Sequence, residues 1–163
     1  MTVPDDKRWM ALALSVARRA TPAPNPRVGA VVVADGRFVA LGWHERAGGP
    51  HAEVVALAAA EGKAHGSTLY VTLEPCNHYG RTPPCVAAIL AGGVKRVVIG
   101  MRDPNPHVTG GGAARLRDGG IEVSIGVLAG EARQLVGTWA VRLASRSPME
   151  VCPPPPLVAV RER

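Results

Sequence analysis

Two cysteines nine positions apart, Cys76 and Cys85, and a His51-Ala52-Glu53 element upstream of them constrain this chain more than any other feature. One imidazole and two thiolates form a three-donor set, and a single cation can use them only if the fold brings separate segments to one point. The third cysteine, Cys152, lies far along in a proline-rich stretch and reads as a free thiol. Three cysteines cannot all pair, and two of them sit among histidine and proline, so a metal or catalytic use is expected over a disulfide framework. A closed structural site wants a fourth protein ligand, and only His78 is close in sequence. The three-donor set with an open corner is the arrangement of a catalytic zinc.

The surrounding pattern places these residues at element boundaries. Residues 5–20 put Trp9, Leu12, Ala13 and Val16 on one helical face, with Asp5 and Asp6 where the helix dipole favours negative charge. Three prolines interrupt residues 21–26, after which two strands at 28–34 and 38–43 flank an Asp35-Gly36 turn. A helix follows at 52–61, ended by Gly62, and a strand at 68–73 runs into Glu74-Pro75-Cys76. Pro83 and Pro84 suit the first turn of a third helix that contains Cys85 and ends at Gly92-Gly93. Strands at 94–99 and 121–127 alternate with helices at 113–118 and 130–144. Right-handed crossovers make the later strands parallel, so the expected fold is α/β: a mixed sheet covered by helices on both faces.

Composition narrows the setting. A chain of 163 residues, 47% hydrophobic, is about one domain long and buries roughly 70% of its unfolded surface without needing disulfides. No apolar run reaches the roughly 20 residues that a membrane span requires, and a soluble, cytoplasmic protein is expected. The net charge of +6 would suit an anionic partner. Only Lys7, Lys63 and Lys95 of the basic residues are lysine, however, and the abundance of Ala, Gly and Pro points to compositional bias. No aromatic side chains are interleaved with a basic patch, so a surface for stacking single-stranded nucleic acid is not indicated.

The chemistry assigns a role to each part. His-x-Glu followed by Pro-Cys and a second cysteine is the pattern of zinc-dependent base deaminases. Two thiolates weaken the acidifying effect of zinc on water compared with neutral imidazoles, so a nearby base is needed. Glu53, two residues beyond His51, is the expected proton shuttle, taking a proton from water and passing it to a ring nitrogen and then to departing ammonia.

The segment from Thr72 to Cys85, Thr-Leu-Glu-Pro-Cys-Asn-His-Tyr-Gly-Arg-Thr-Pro-Pro-Cys, resembles the pyrimidine deaminase of riboflavin biosynthesis, within the cytidine deaminase-like superfamily. Cytidine and transfer-RNA adenosine deaminases have two residues between the cysteines, whereas eight intervene here. Further matching blocks are Pro24-Asn25-Pro26-Arg27-Val28-Gly29-Ala30, Gly42-Trp43-His44, His51-Ala52-Glu53, and Asp103-Pro104-Asn105-Pro106 followed by Gly110; the resemblance covers about residues 7–136.

The resemblance implies a three-layer α/β/α fold with a five-stranded mixed sheet, zinc on His51, Cys76 and Cys85, and Glu53 as the catalytic acid and base. It implies substrate contacts from Asn25, His44, Ala52, His78, Asp103 and Asn105, with Arg81 at a cationic position near a phosphate, where its fork can bind two oxygens. The implied substrate is a phosphorylated aminopyrimidine, a diaminopyrimidinone carrying a ribosylamino phosphate, which yields the uracil derivative and ammonia. Family members are commonly fused to a reductase; here the chain stops where that domain would begin, with Leu135-Val136-Gly137 replacing the usual leucine-asparagine pair, so a reductase in trans is expected, and because family members associate through such domains a homo-oligomer is expected too. Residues 1–145 then form the deaminase domain and 146–163 a proline-rich tail. Three alternatives remain open: a deaminase of a related aminopyrimidine, a nucleic-acid deaminase, and a non-catalytic subunit stapled by zinc.

Overall fold

The computed structural model describes residues 3–105 and 111–144. Pro106, Gly110, the tail expected at 146–163 and Cys152 lie outside the described residues.

Among the described residues five helices and five strands follow in the order α1 (Val3–Ala17), β1 (Gly29–Ala34), β2 (Arg37–Trp43), α2 (Ala52–Ala59), β3 (Thr68–Leu73), α3 (Cys85–Ala91), β4 (Arg96–Met101), α4 (Gly112–Asp118), β5 (Glu122–Ile125) and α5 (Ala129–Ala144). The strands form one sheet in the order β2-β1-β3-β4-β5. β1 is antiparallel to both β2 and β3, whereas β3, β4 and β5 are parallel, as helical crossovers require. The Asp35-Gly36 turn closes the β1–β2 hairpin with both residues at positive φ, 51° and 71°, which matches the twist of the paired strands.

Alternation along the strands builds two cores. Ala30, Val32, Leu69, Val71, Val97 and Ile99 face Ala56 of α2, Ile89 of α3 and Leu116 of α4. Val31, Val33, Tyr70 and Val98 face Trp9, Met10, Ala13 and Leu14 of α1 and Ala132 of α5. Strands buried on both faces need apolar side chains at successive positions, which is why β1 and β4 read as near-continuous valine and isoleucine. The three-layer α/β/α arrangement expected from the sequence is the one observed.

Several boundaries differ from the pattern reading. α1 ends at Ala17 rather than residue 20, because Arg19 and Ala20 donate to carbonyls three residues back in tightening turns ahead of Pro22. Pro83 and Pro84 precede α3 instead of forming its first turn: Pro84 has ψ 132°, an extended value, and Cys85 is the first helical residue. β4 starts two residues late, since Lys95 still bonds Ser67 and parallel pairing begins at Arg96 opposite Thr68. β5 stops at Ile125, where Gly126 and Leu128, at φ 103° and 54°, turn the chain into α5. None of the described helices is long and apolar enough to cross a membrane.

Candidate functional site

β3 and β4 run parallel, and the loops leaving their carboxyl ends, where open α/β sheets bind ligands, carry Cys76 and Asp103. His51 occupies the N-cap of α2 in extended conformation but makes no side-chain capping bond, which leaves its imidazole free to turn to the sulfurs. Cys76 follows the fully buried Pro75 in the loop after β3, and Cys85 opens α3 with 1% exposure.

The three side chains converge. His51 Nδ1 lies 3.1 Å from Cys85 Sγ and 3.7 Å from Cys76 Sγ, and all three donor atoms fall within 4.8 Å of one another. A tetrahedral zinc with bonds of about 2.3 Å to sulfur and about 2.0 Å to nitrogen sets such donors roughly 3.5–3.8 Å apart. The spacing and the donor chemistry therefore fit zinc. The backbone N–H of Cys85 donates to Cys76 Sγ at 3.2 Å. The Cys85 thiol above all, with His51 and that backbone bond, pulls Cys76 down to about 4, toward its thiolate, while the same thiol contact and burial push Cys85 up. The His51 imidazole is raised, chiefly by its bond to Cys76.

Glu53 lies on the first turn of α2, 3% exposed. Burial pushes its carboxyl up to about 7, against the downward pull of His51. Such a group is poised to take and release protons near neutral pH.

His51, Glu53 and Cys76 form one wall of a cavity of about 310 Å³, within the range for small-molecule sites. Asn25, His44, His51, Glu53, Cys76, His78, Arg81, Asp103 and Asn105 all line it. Cys85, 1% exposed, does not line it and is the buried member of the donor cluster. Ala52 is also absent from the lining, its methyl fully buried in the α2-side core.

His44 has a fixed hydrogen-bond pattern. Its Nδ1 is 3.0 Å from the Pro50 carbonyl, which can only accept, so the proton resides there and Nε2 accepts from Asn25 Nδ2 at 3.0 Å. Burial holds the His44 imidazole below its ordinary value, consistent with this neutral tautomer. The His44 ring also meets His51 edge to face, with centroids 5.1 Å apart. Asn25 is thereby oriented by a group that itself abuts the donor cluster. Arg81 is exposed on the rim, and the buried Nδ1 of His78 has no protein hydrogen-bond partner.

Glu74 was not singled out by sequence reasoning. It is 7% exposed, its Oε1 accepts the Ala113 N–H of α4 at 3.0 Å, and its Oε2 accepts the Asp103 N–H at 3.1 Å. Asp103 Oδ1 in turn accepts the Asn105 N–H at 2.9 Å, closing a tight turn. Burial raises the Asp103 carboxyl. One carboxylate thus ties the loop that carries Asp103 and Asn105 to the strand that delivers Cys76. The signal for it was an acid between a buried strand end and Pro75, which a solvated loop does not require. Trp139 of α5 also lines the cavity and was not anticipated.

Comparison with known proteins gives three kinds of match. Residues 3–101 match the family model described as the cytidine and deoxycytidylate deaminase zinc-binding region. The chain is 59% identical over 132 residues to the riboflavin biosynthesis protein RibD of Aquifex aeolicus, covering 80% of this chain but 37% of that protein. It is 51% identical over 124 residues to a diaminohydroxyphosphoribosylamino-pyrimidine deaminase of Buchnera aphidicola, covering 76% of this chain and 84% of the relative. A solved structure from Thermotoga maritima, a diaminohydroxyphosphoribosylaminopyrimidine deaminase/5-amino-6-(5-phosphoribosylamino)uracil reductase, superposes with a TM-score of 0.81 at 45% identity, covering 88% of this chain and 42% of that one. The chain spans less than half the length of these two longer relatives.

Proposed function

Because the chain belongs to the cytidine and deoxycytidylate deaminase zinc-binding family, we propose that it hydrolyses the exocyclic amine of a diaminopyrimidinone bearing a phosphoribosylamino group, the deamination of riboflavin biosynthesis. The observation that carries this reading is the convergence of His51, Cys76 and Cys85 within 4.8 Å at the wall of a cavity that also holds the buried Glu53. The long cysteine loop and the identity to the Buchnera deaminase support the substrate.

His51, Cys76 and Cys85 would hold the zinc. Bound there, zinc supplies the Lewis acidity that makes water nucleophilic near neutral pH. Glu53 takes a proton from the attacking water and places it on the ring nitrogen next to the amine-bearing carbon. The carbon–oxygen bond forms as that carbon becomes tetrahedral. Glu53 then takes the second water proton and delivers it to the amine, the carbon–nitrogen bond breaks, and ammonia leaves behind a ring carbonyl. Asn25, held by His44, and the Asp103–Asn105 turn, held by Glu74, orient the pyrimidine and its sugar. Arg81 on the rim meets the phosphate, with the fork geometry that suits its oxygens.

A reductase acting on the uracil product is the proposed functional partner, in keeping with the pairing of activities in the Thermotoga relative. We place the protein in the cytoplasm as a homo-oligomer, with residues 1–145 as the deaminase domain. Zinc-loaded protein supplied with the phosphoribosylamino diaminopyrimidinone should release one ammonia per turnover. Release only from an unphosphorylated aminopyrimidine would instead favour a related substrate, and strongly salt-dependent RNA or DNA binding would favour a nucleic-acid deaminase.

A further inference from the structure

Among the residues that line the cavity, Trp139 is the single Trp, Tyr or Phe. It comes from α5, an element that carries none of the metal donors and none of the polar contacts named above. α5 begins on the α1 side of the sheet, where Ala132 packs in one core and Leu135 packs against it. Val136 instead belongs to the core on the α2 side, and the partly buried Trp139 packs against that core. Between them, at Gly137, the backbone leaves helical space with φ 26° and ψ −113°. A positive φ is accessible to glycine and strained for other residues. A Cβ at Gly137 would meet nothing within 4 Å, so what this position demands is a backbone conformation and not room.

A flat heteroaromatic substrate needs two kinds of surface. Its edge requires hydrogen-bond partners, and Asn25, Glu53, Asp103 and Asn105 supply polar groups for it. Its faces require apolar surface, and an indole offers a large rigid one at small cost in side-chain entropy. Val28 and Leu73 add aliphatic surface to the same cavity. We infer that Trp139 is a specificity-determining residue of this site, an aromatic wall against which the substrate ring rests, and that the bend at Gly137 aims it. The inference rests on the pyrimidine deaminase reading for the identity of the ring.

The test uses the zinc-loaded full chain, with kinetics and tryptophan emission measured together. Trp9 is buried in the α1-side core and Trp43 ends β2 beside Arg19, so neither lines the cavity. The uracil reaction product should quench emission of the wild type and not of Trp139→Phe. Trp139→Ala should raise KM about tenfold, the scale of losing one base–aromatic contact, with kcat and zinc content held. Trp139→Phe, which keeps a ring, should recover most of that loss. Gly137→Ala should raise KM similarly, and the double variant Gly137→Ala/Trp139→Ala should be no worse than Trp139→Ala, because both changes remove one contact. An unchanged KM in Trp139→Ala, or equal quenching in wild type and Trp139→Phe, overturns the inference. Failure of the wild type to release ammonia would refute the deaminase reading separately, since the quenching comparison needs no turnover.

Discussion

Two buried carboxylates at opposite ends of the parallel strands have opposite fates. At the amino end of β4, Asp6 takes Arg96 in a two-pronged bond at 2.7 and 2.8 Å and the Tyr70 hydroxyl at 2.9 Å, and Arg96 also reaches Glu122 and Ser124. The Arg96 hydrogen bonds hold Asp6 below the usual carboxylate range. At the carboxyl end, Glu53 is more deeply enclosed, 3% exposed against 9% for Asp6; no Lys or Arg pairs with it among the described residues, and burial pushes it up to about 7. A paired cation decides the first acid and deeper burial decides the second, so their proton affinities shift in opposite directions. The protein completes the first with its own cation and leaves the second beside His51, Cys76 and Cys85, a group that could hold a metal ion. The first arrangement ties α1 to β4, and the second leaves a perturbed acid in the candidate site, the kind of place where such groups concentrate.

That contrast is open to attack from both ends. The largest effect should come from the donors: Cys85→Ser, or chelation of the wild type, should remove zinc and all turnover, as metal analysis and ammonia release would record. Retained zinc in Cys85→Ser would break the account of the site. Next comes Glu53→Gln, which should lower kcat by about 10²–10⁴-fold with zinc retained, the range for loss of an acid–base group. Glu74→Gln is expected to raise KM several-fold more than it lowers kcat, because its amide presents a donor to one of the two N–H groups that the carboxylate accepts. Unaltered KM would reduce Glu74 to a helix cap.

The opposite end should show the reverse pattern. Arg96→Ala should destabilise the fold by about 1.5–3 kcal/mol, as for lost hydrogen bonds to a charged group, and leave kcat/KM unchanged. Its pH dependence has a definite sign. Asp6 binds its proton more weakly in the folded chain than in the unfolded one, so its stabilisation is complete above the unfolded pKa of about 3.9 and is lost as pH falls through the lower folded value. Thermal melts of wild type and Arg96→Ala should therefore converge as pH drops below about 4. Loss of activity in Arg96→Ala, or melts that keep their separation in acid, would mean that the two ends are not divided as described.

Much of this was legible before any coordinates. The grouping of His51, Glu53, Cys76 and Cys85 could be read because few roles use a histidine, an acid and two cysteines at helix starts, and the sheet could be read because β1, β3 and β4 are short, largely apolar runs bounded by turn residues. Less legible was whatever depends on a bond between distant backbone and side chain. Glu74 acts on N–H groups 29 and 39 positions away, and no local pattern encodes such reach. Trp139 was hidden by a smooth amphipathic pattern across 130–144, where the glycine in its middle was the sole mark of the bend. The start of α3 was misplaced because Pro84 itself keeps an extended ψ of 132° and caps the helix from outside, so a proline can delay a helix as readily as it opens one.

The central claim is that one histidine and two cysteines hold a catalytic zinc with a corner open to solvent. Zinc-edge X-ray absorption of the purified chain reads that shell directly. The account requires one zinc per chain, two sulfurs at about 2.3 Å and two lighter neighbours near 2.0 Å, from one imidazole and one water. A shell filled by four protein ligands, or zinc with no sulfur around it, would contradict it.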